Sequence, residues 1–157
     1  MSGQVRVALL LILATLASPA SAGCGDFKWN VMKDREALAA AKPLVGDAAP
    51  GEGYEVALTP GLTLPVKPER EPKPGTLAAV VSVPKLDAGL YQITLSDEAW
   101  LDVAQGGALV TSSDFSGMKD CPGVRKSVRF PLGAGAAMVE ISNASGAAIK
   151  LVIEPAN

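Results

Sequence analysis

The sequence predicts an all-β protein, an antiparallel β-sandwich of jelly-roll or immunoglobulin-like arrangement, with one short N-terminal helix. Three observations lead there. From Tyr54 onward apolar residues alternate with polar ones at period two. Each run is short and is closed by Gly or Pro, at a spacing of about ten residues. The 16 Gly and 12 Pro in 157 residues follow no collagen period, so they read as turns.

The elements follow in chain order. Residues 1–6 carry one cation, residues 7–16 are an apolar run, and Ala20-Ser21-Ala22 has the small-x-small pattern that signal peptidase reads. Residues 1–22 are therefore expected to be a signal peptide, too short to span a bilayer. Residues 23–53 form an N-terminal segment, in which Phe27 and Trp29 alternate with Lys28 and Asn30. Strong helix formers at 31–41 predict the helix, with Asp34 as its N-cap and Pro43 and Gly46 as its stop. Residues 54–157 make the β-sandwich domain. Strands are expected at 54–58, at Leu62, Leu64 and Val66, and at 77–83, the last ended by Pro84 and covered on both faces. Between the second and third of these, residues 66–75 are a charged, Pro-rich exposed loop or edge protector. Tyr91, Ile93 and Leu95 give the next strand, and residues 100–103 and 108–111 flank a Gln105-Gly106-Gly107 hairpin. Val128 to Leu132, Met138 to Ile141 and Ile149 to Ile153 supply the rest, with residues 112–126 as a long loop and 142–146 as a tight connection.

Charge and composition exclude several function classes. Of 14 Lys and Arg only Arg6 lies in the leader, so the mature chain is mildly acidic, net −3 against its 16 Asp and Glu. No basic stripe interleaves with aromatics, so nucleic acid is not an expected partner, and no amphipathic cationic helix points to a membrane surface. The chain has no His, which removes the commonest general base and transition-metal ligand. No cofactor is expected.

Two cysteines in an exported chain read as one disulfide, Cys24 to Cys121, closing a loop worth roughly 4 to 5 kcal/mol in the chain-entropy model. Two free thiols or intermolecular pairing are the alternatives, and no C-x-x-C redox motif is present. A lipoprotein anchored at Cys24 is the alternative processing, although Ser21 stands where Leu is usual.

The segments AGLYQITL, AWLDV, Ser-Asp-Phe-x-Gly, Cys121-Pro-Gly-Val-Arg-Lys126 and VRFPL resemble a family of small exported bacterial β-sandwich proteins of unknown activity. More loosely, they are similar to the sandwich modules that follow secreted peptidases. Members of the small family are sometimes labelled homogentisate dioxygenase. Such an enzyme binds iron through histidines and a carboxylate, and a chain without His offers no position to which those ligands carry over.

Candidate site residues are few. Trp100 with Asp102 could present a ring to an apolar sugar face and a carboxylate to its hydroxyls, the plainer reading being a core Trp. Lys119, Arg125, Lys126 and Arg129 could meet an anion, or simply form a solvated edge. Ser116-Gly117-Met118-Lys119 matches the S-x-x-K of serine acyl-transferases, but lies in a loop without the accompanying S-D-N or K-T-G. Asp97, Glu98, Asp102, Asp114 and Asp120 could supply oxygens to Ca²⁺, yet lack EF-hand spacing. Asn143-Ala144-Ser145 is a glycosylation sequon by pattern. These features predict a periplasmic or secreted binding or interaction module whose partner is an envelope protein or a carbohydrate. The alternatives are a His-free hydrolase-like or other enzyme, for which paired acids in a cleft would speak, and a structural accessory of an envelope complex.

Overall fold

Residues 23–156 are described by the computed structural model. The signal peptide expected at residues 1–22 lies outside them. A 3-10 turn at Cys24–Asp26 leads into helix α1 (Met32–Ala39), and eleven strands follow among the described residues: β1 (Lys42–Pro43), β2 (Gly53–Ala57), β3 (Thr59–Pro60), β4 (Leu77–Leu86), β5 (Gly89–Leu95), β6 (Trp100–Gln105), β7 (Ala108–Leu109), β8 (Asp114–Gly117), β9 (Lys126–Leu132), β10 (Gly135–Ala144) and β11 (Ala148–Pro155). They form two sheets, ordered β1-β2-β11-β5-β9-β8 and β3-β4-β10-β6-β7. The chain is therefore mostly β, and every strand pair except β1–β2 is antiparallel.

Period-two alternation decides which side chains turn inward. In the first sheet one row is Tyr54 and Val56, Leu151 and Ile153, Ile93 and Leu95, then Val128 and Phe130, aligned by the pairings Ile153↔Ile93 and Ile93↔Val128. In the second, Val81, Val139 and Val103 lie side by side across β4, β10 and β6. Both rows belong to one buried apolar cluster. Each Val, Ile, Leu or Phe in it contributes about 1.5–3 kcal/mol of transfer free energy.

The opposite faces are also covered, each by a segment without strands of its own. On the first sheet, Val152 joins Cys24, Phe27, Val31, Leu38, Cys121 and Val124 in a second buried cluster, so the N-terminal segment and α1 lie on that face. Cys24 and Cys121, 97 positions apart in sequence, form a disulfide, the bond anticipated from the cysteine count. On the second sheet, residues 61–76 run across the outer row as a strap. The backbone N–H groups of Val66, Glu69 and Lys73 donate to Glu140 Oε1, Asp102 Oδ2 and Asn143 Oδ1 at 2.8, 3.1 and 2.8 Å.

Several local expectations are corrected. Leu62, Leu64 and Val66 form no strand: Pro65 and Pro68 lack the N–H a ladder needs, and the neighbouring N–H groups bond to side chains instead. Pro84 does not end β4, because it falls in the register shift opposite β10 and beyond the two-residue pairing with β3. Residues 112–126 are not all loop, since β8 pairs with β9 and carries Ser116 and Gly117 of the S-x-x-K match. Asp34 is not a cap. It stands inside α1 with its carboxylate buried, and Met32 N–H is satisfied by Asn30 Oδ1 at 2.8 Å. The Gln105-Gly106-Gly107 hairpin is present, with Gly106 and Gly107 at φ 62° and 81°, the two positive values a type I′ turn requires. No helix among the described residues is long and apolar enough to cross a membrane.

Candidate functional site

Helix α1 is fixed to the first sheet by polar groups at its own centre. Gln92 Nε2 donates to both oxygens of Asp34, at 3.1 and 2.9 Å, and the Thr94 hydroxyl donates to Oδ2. Thr94 Oγ1 and Ser127 Oγ are 2.8 Å apart, and Trp29 Nε1 donates to Ser127 Oγ at 3.0 Å. Thr94 has a single proton and gives it to the carboxylate, so Ser127 must donate to Thr94. The result is a directed chain from the Trp29 indole through two hydroxyls to Asp34, in which each bond polarises the next. Burial pushes the Asp34 carboxyl above its ordinary range, ahead of the opposing hydrogen bonds from Thr94 and Gln92.

A cavity of about 180 Å³ opens beside this anchor, walled by Trp29, Lys33, Gln92, Arg129 and Glu154 and reaching Asp34. Glu154 lies on the outer row of β11 with a side chain only 3% exposed. Its Oε2 accepts from Lys33 Nζ at 2.7 Å, which holds the lysine above its usual pKa, while the buried Oε1 has no partner. The Arg129 guanidinium stacks 4.3 Å from the Trp29 ring centroid and donates to Gln92 Oε1 at 3.3 Å. Two cations and two carboxyl groups thus face one small space. On the far side of α1 a broader cleft of about 440 Å³ is lined by Arg35, Glu55, Ser96, Asp97, Pro122 and Lys150.

Of the residues singled out in the sequence, Trp100 and Asp102 lie on β6 of the second sheet, Lys126 and Arg129 on β9 of the first, and Lys119 and Arg125 in the connection between β8 and β9. Trp100 Nε1 donates to Asp102 Oδ2 at 3.0 Å, the Arg70 guanidinium lies 4.1 Å from the Trp100 ring centroid, and Lys126 Nζ lies 5.0 Å from it. The Trp100 ring, read either as a sugar platform or as a core residue, is covered by the protein's own strap and by Lys126. Burial raises the Asp102 pKa against the N–H donors of Glu69 and Trp100. Burial likewise lowers that of Lys126, whose ammonium donates to Ala99 O at 3.1 Å. Arg125 turns to an ion pair with Glu98, and Lys119 stands exposed and makes none of these contacts. Arg129 belongs to the first-sheet cavity rather than to this basic group.

Of the acidic residues considered for Ca²⁺, Asp114 pairs with Lys28 and Glu98 with Arg125, while Asp97 accepts from Ser96 and Asp102 from Trp100. Among the described residues no three His, Cys, Asp or Glu side chains gather where a metal ion could sit. Reading the sequence missed Trp29, Lys33, Asp34, Gln92 and Glu154. Their signal is the polar partner of each alternating strand, Gln92 and Thr94 in β5 and Ser127 and Arg129 in β9, a row that looks solvated until another segment covers it. Neither a family model, a curated protein nor a solved structure matches the chain.

Proposed function

We propose that this protein is an exported periplasmic or secreted binding module, a β-sandwich of jelly-roll or immunoglobulin-like type, that takes a small neutral hydroxylated molecule in the cavity beside α1. One observation carries the reading: Glu154, whose Oε1 is buried and unbonded, lines a polar cavity together with Trp29, Lys33 and Gln92. A buried acceptor left unsatisfied costs about 1–3 kcal/mol, which a ligand hydroxyl recovers. Lys33 and Arg129 balance Asp34 and Glu154, so a charged ligand would leave one charge unpaired while a neutral one would not. Carboxylate, amide, cation and aromatic groups around one cavity suit a monosaccharide or similar polyol. The disulfide agrees with an oxidising compartment.

The same cavity does not favour the enzymatic alternative, because both Asp34 oxygens are committed to Gln92 and Thr94. The test is a thermal-shift and calorimetric screen of glucose, galactose, mannose, N-acetylglucosamine and glycerol against the wild type and Glu154→Gln. The reading expects at least one of these to raise the melting temperature of the wild type and to lose that effect in the variant. A panel without any shift, or a shift that survives Glu154→Gln, overturns it.

A further inference from the structure

We propose that the outer face of the second sheet is a recognition surface for a proline-rich, arginine-bearing peptide of another protein, and that the strap at residues 61–76 occupies it in cis. This surface is separate from the α1 cavity and does not depend on the reading given for it.

The strap is itself such a peptide. Prolines at 65, 68, 72 and 74 favour the extended polyproline II conformation, whose backbone N–H groups are free for an external acceptor. The face supplies those acceptors in a row: Glu140 takes Val66 N–H, Asp102 takes Glu69 N–H and Asn143 takes Lys73 N–H. Trp100 takes the cation of Arg70, two positions beyond Pro68. An aromatic ring beside acidic groups is the chemistry by which proline-rich segments are held elsewhere.

The strap is built to lift. None of its residues is buried, and only Leu64, Val66, Pro68 and Thr76 are half-buried. Both ends are held at one place by the pairings Pro60↔Leu77 and Thr59↔Ala78, so the loop between them can open as a flap while both sheets stay intact. The face is also under-satisfied by its present occupant. Glu140 Oε2, Ser142 Oγ and Asn143 Nδ2 are buried beside the bonded groups yet have no partner. A peptide with a hydroxyl or cationic side chain at that point makes bonds the strap leaves unmade. The pinned ends favour a separate protein as its source, since a second copy could lend its strap only by bringing its own β3–β4 edge alongside.

The experiment uses the intact protein, its Arg70→Ala variant, and a labelled synthetic peptide of residues 61–75. Arg70 is exposed, so its truncation loosens the strap without disturbing the sheets. Hydrogen exchange is expected to show Val66, Glu69 and Lys73 amides losing protection in the variant while those of β10 and β11 keep theirs. The peptide is expected to bind the variant roughly tenfold more tightly than the wild type. A peptide with Ala in place of its Arg is expected to lose that binding. Unchanged strap protection, no binding to the variant at millimolar peptide, or equal binding of the Ala peptide each overturns the proposal. A concentration-dependent dimer of Arg70→Ala in sedimentation, abolished by Asp102→Asn, assigns the face to a second copy and overturns the stated source.

Discussion

A methyl group on Gly53 would lie 2.0 Å from the carbonyl oxygen of Ala37. Strand β2 and the last turn of α1 touch backbone to backbone here, and no side-chain rearrangement relieves the overlap. Gly53→Ala is expected to push α1 off the sheet and to cost about 3 kcal/mol, the upper end for overpacking, because the obstacle is main chain. Urea denaturation measures the loss, and Trp29 fluorescence reports the displaced segment.

Asp34→Ala leaves the donors of Gln92 and Thr94 buried without an acceptor, and is expected to cost about 2–4 kcal/mol. The pH dependence follows from the raised carboxyl. Its folded pKa exceeds its unfolded one, so the native state takes up the proton first as pH falls. Stability from this group therefore rises as pH drops from neutral through the folded pKa, and is complete below the unfolded value. Asp34→Asn should flatten that part of the curve, measured as unfolding free energy between pH 7 and pH 4.

Glu140 behaves with the same sign, its pKa raised first by burial and further by the charge of Asp102, against the N–H of Val66. Glu140→Gln keeps an oxygen for that N–H and removes a buried charge. The variant should be more stable than the wild type at pH 7, with the gap closing as the pH is lowered. A variant less stable at pH 7 would count against the burial argument.

Cys121→Ser and Cys24→Ser should each lower stability by about 4 to 5 kcal/mol, since the bond spans 97 positions. Reduction of the wild type should produce a similar loss in urea denaturation. Unequal effects of the two substitutions would mean that one thiol has a packing role beyond the crosslink.

Where one face of a strand met the core, the sequence was readable. Tyr91, Ile93 and Leu95, Val128 and Phe130, and Ile149 to Ile153 announce themselves by alternation, and two glycines mark the β6–β7 turn. Illegible parts depended on distant partners. Leu62, Leu64 and Val66 alternate as a strand does, but the acceptors for this stretch are side chains of β6 and β10. Asp34 looked like a cap because local rules see only its neighbours, whereas Gln92 and Thr94 lie 58 and 60 positions away. Strand β8 was hidden because Phe115, its one large apolar residue, is 63% exposed and gives no buried row to recognise. The Trp100–Asp102 contact was foreseeable, since i and i+2 share a strand face. That Arg70 would stack on the ring was not.

The order of strands carries a consequence for how the chain reaches its native state. Strand β11 joins β2 to β5 in one sheet, and β10 joins β4 to β6 in the other. Both follow, in chain order, the strands they join. Until they appear, each sheet exists only as separated halves, and the early strands must wait for partners distant in sequence. Such pairing is slow, because long loops close before any contact rewards them. Each sheet is thus completed only when its late strand docks between two earlier groups, and because β10 and β11 lie in different sheets the two closures are linked through residues 145–147 alone.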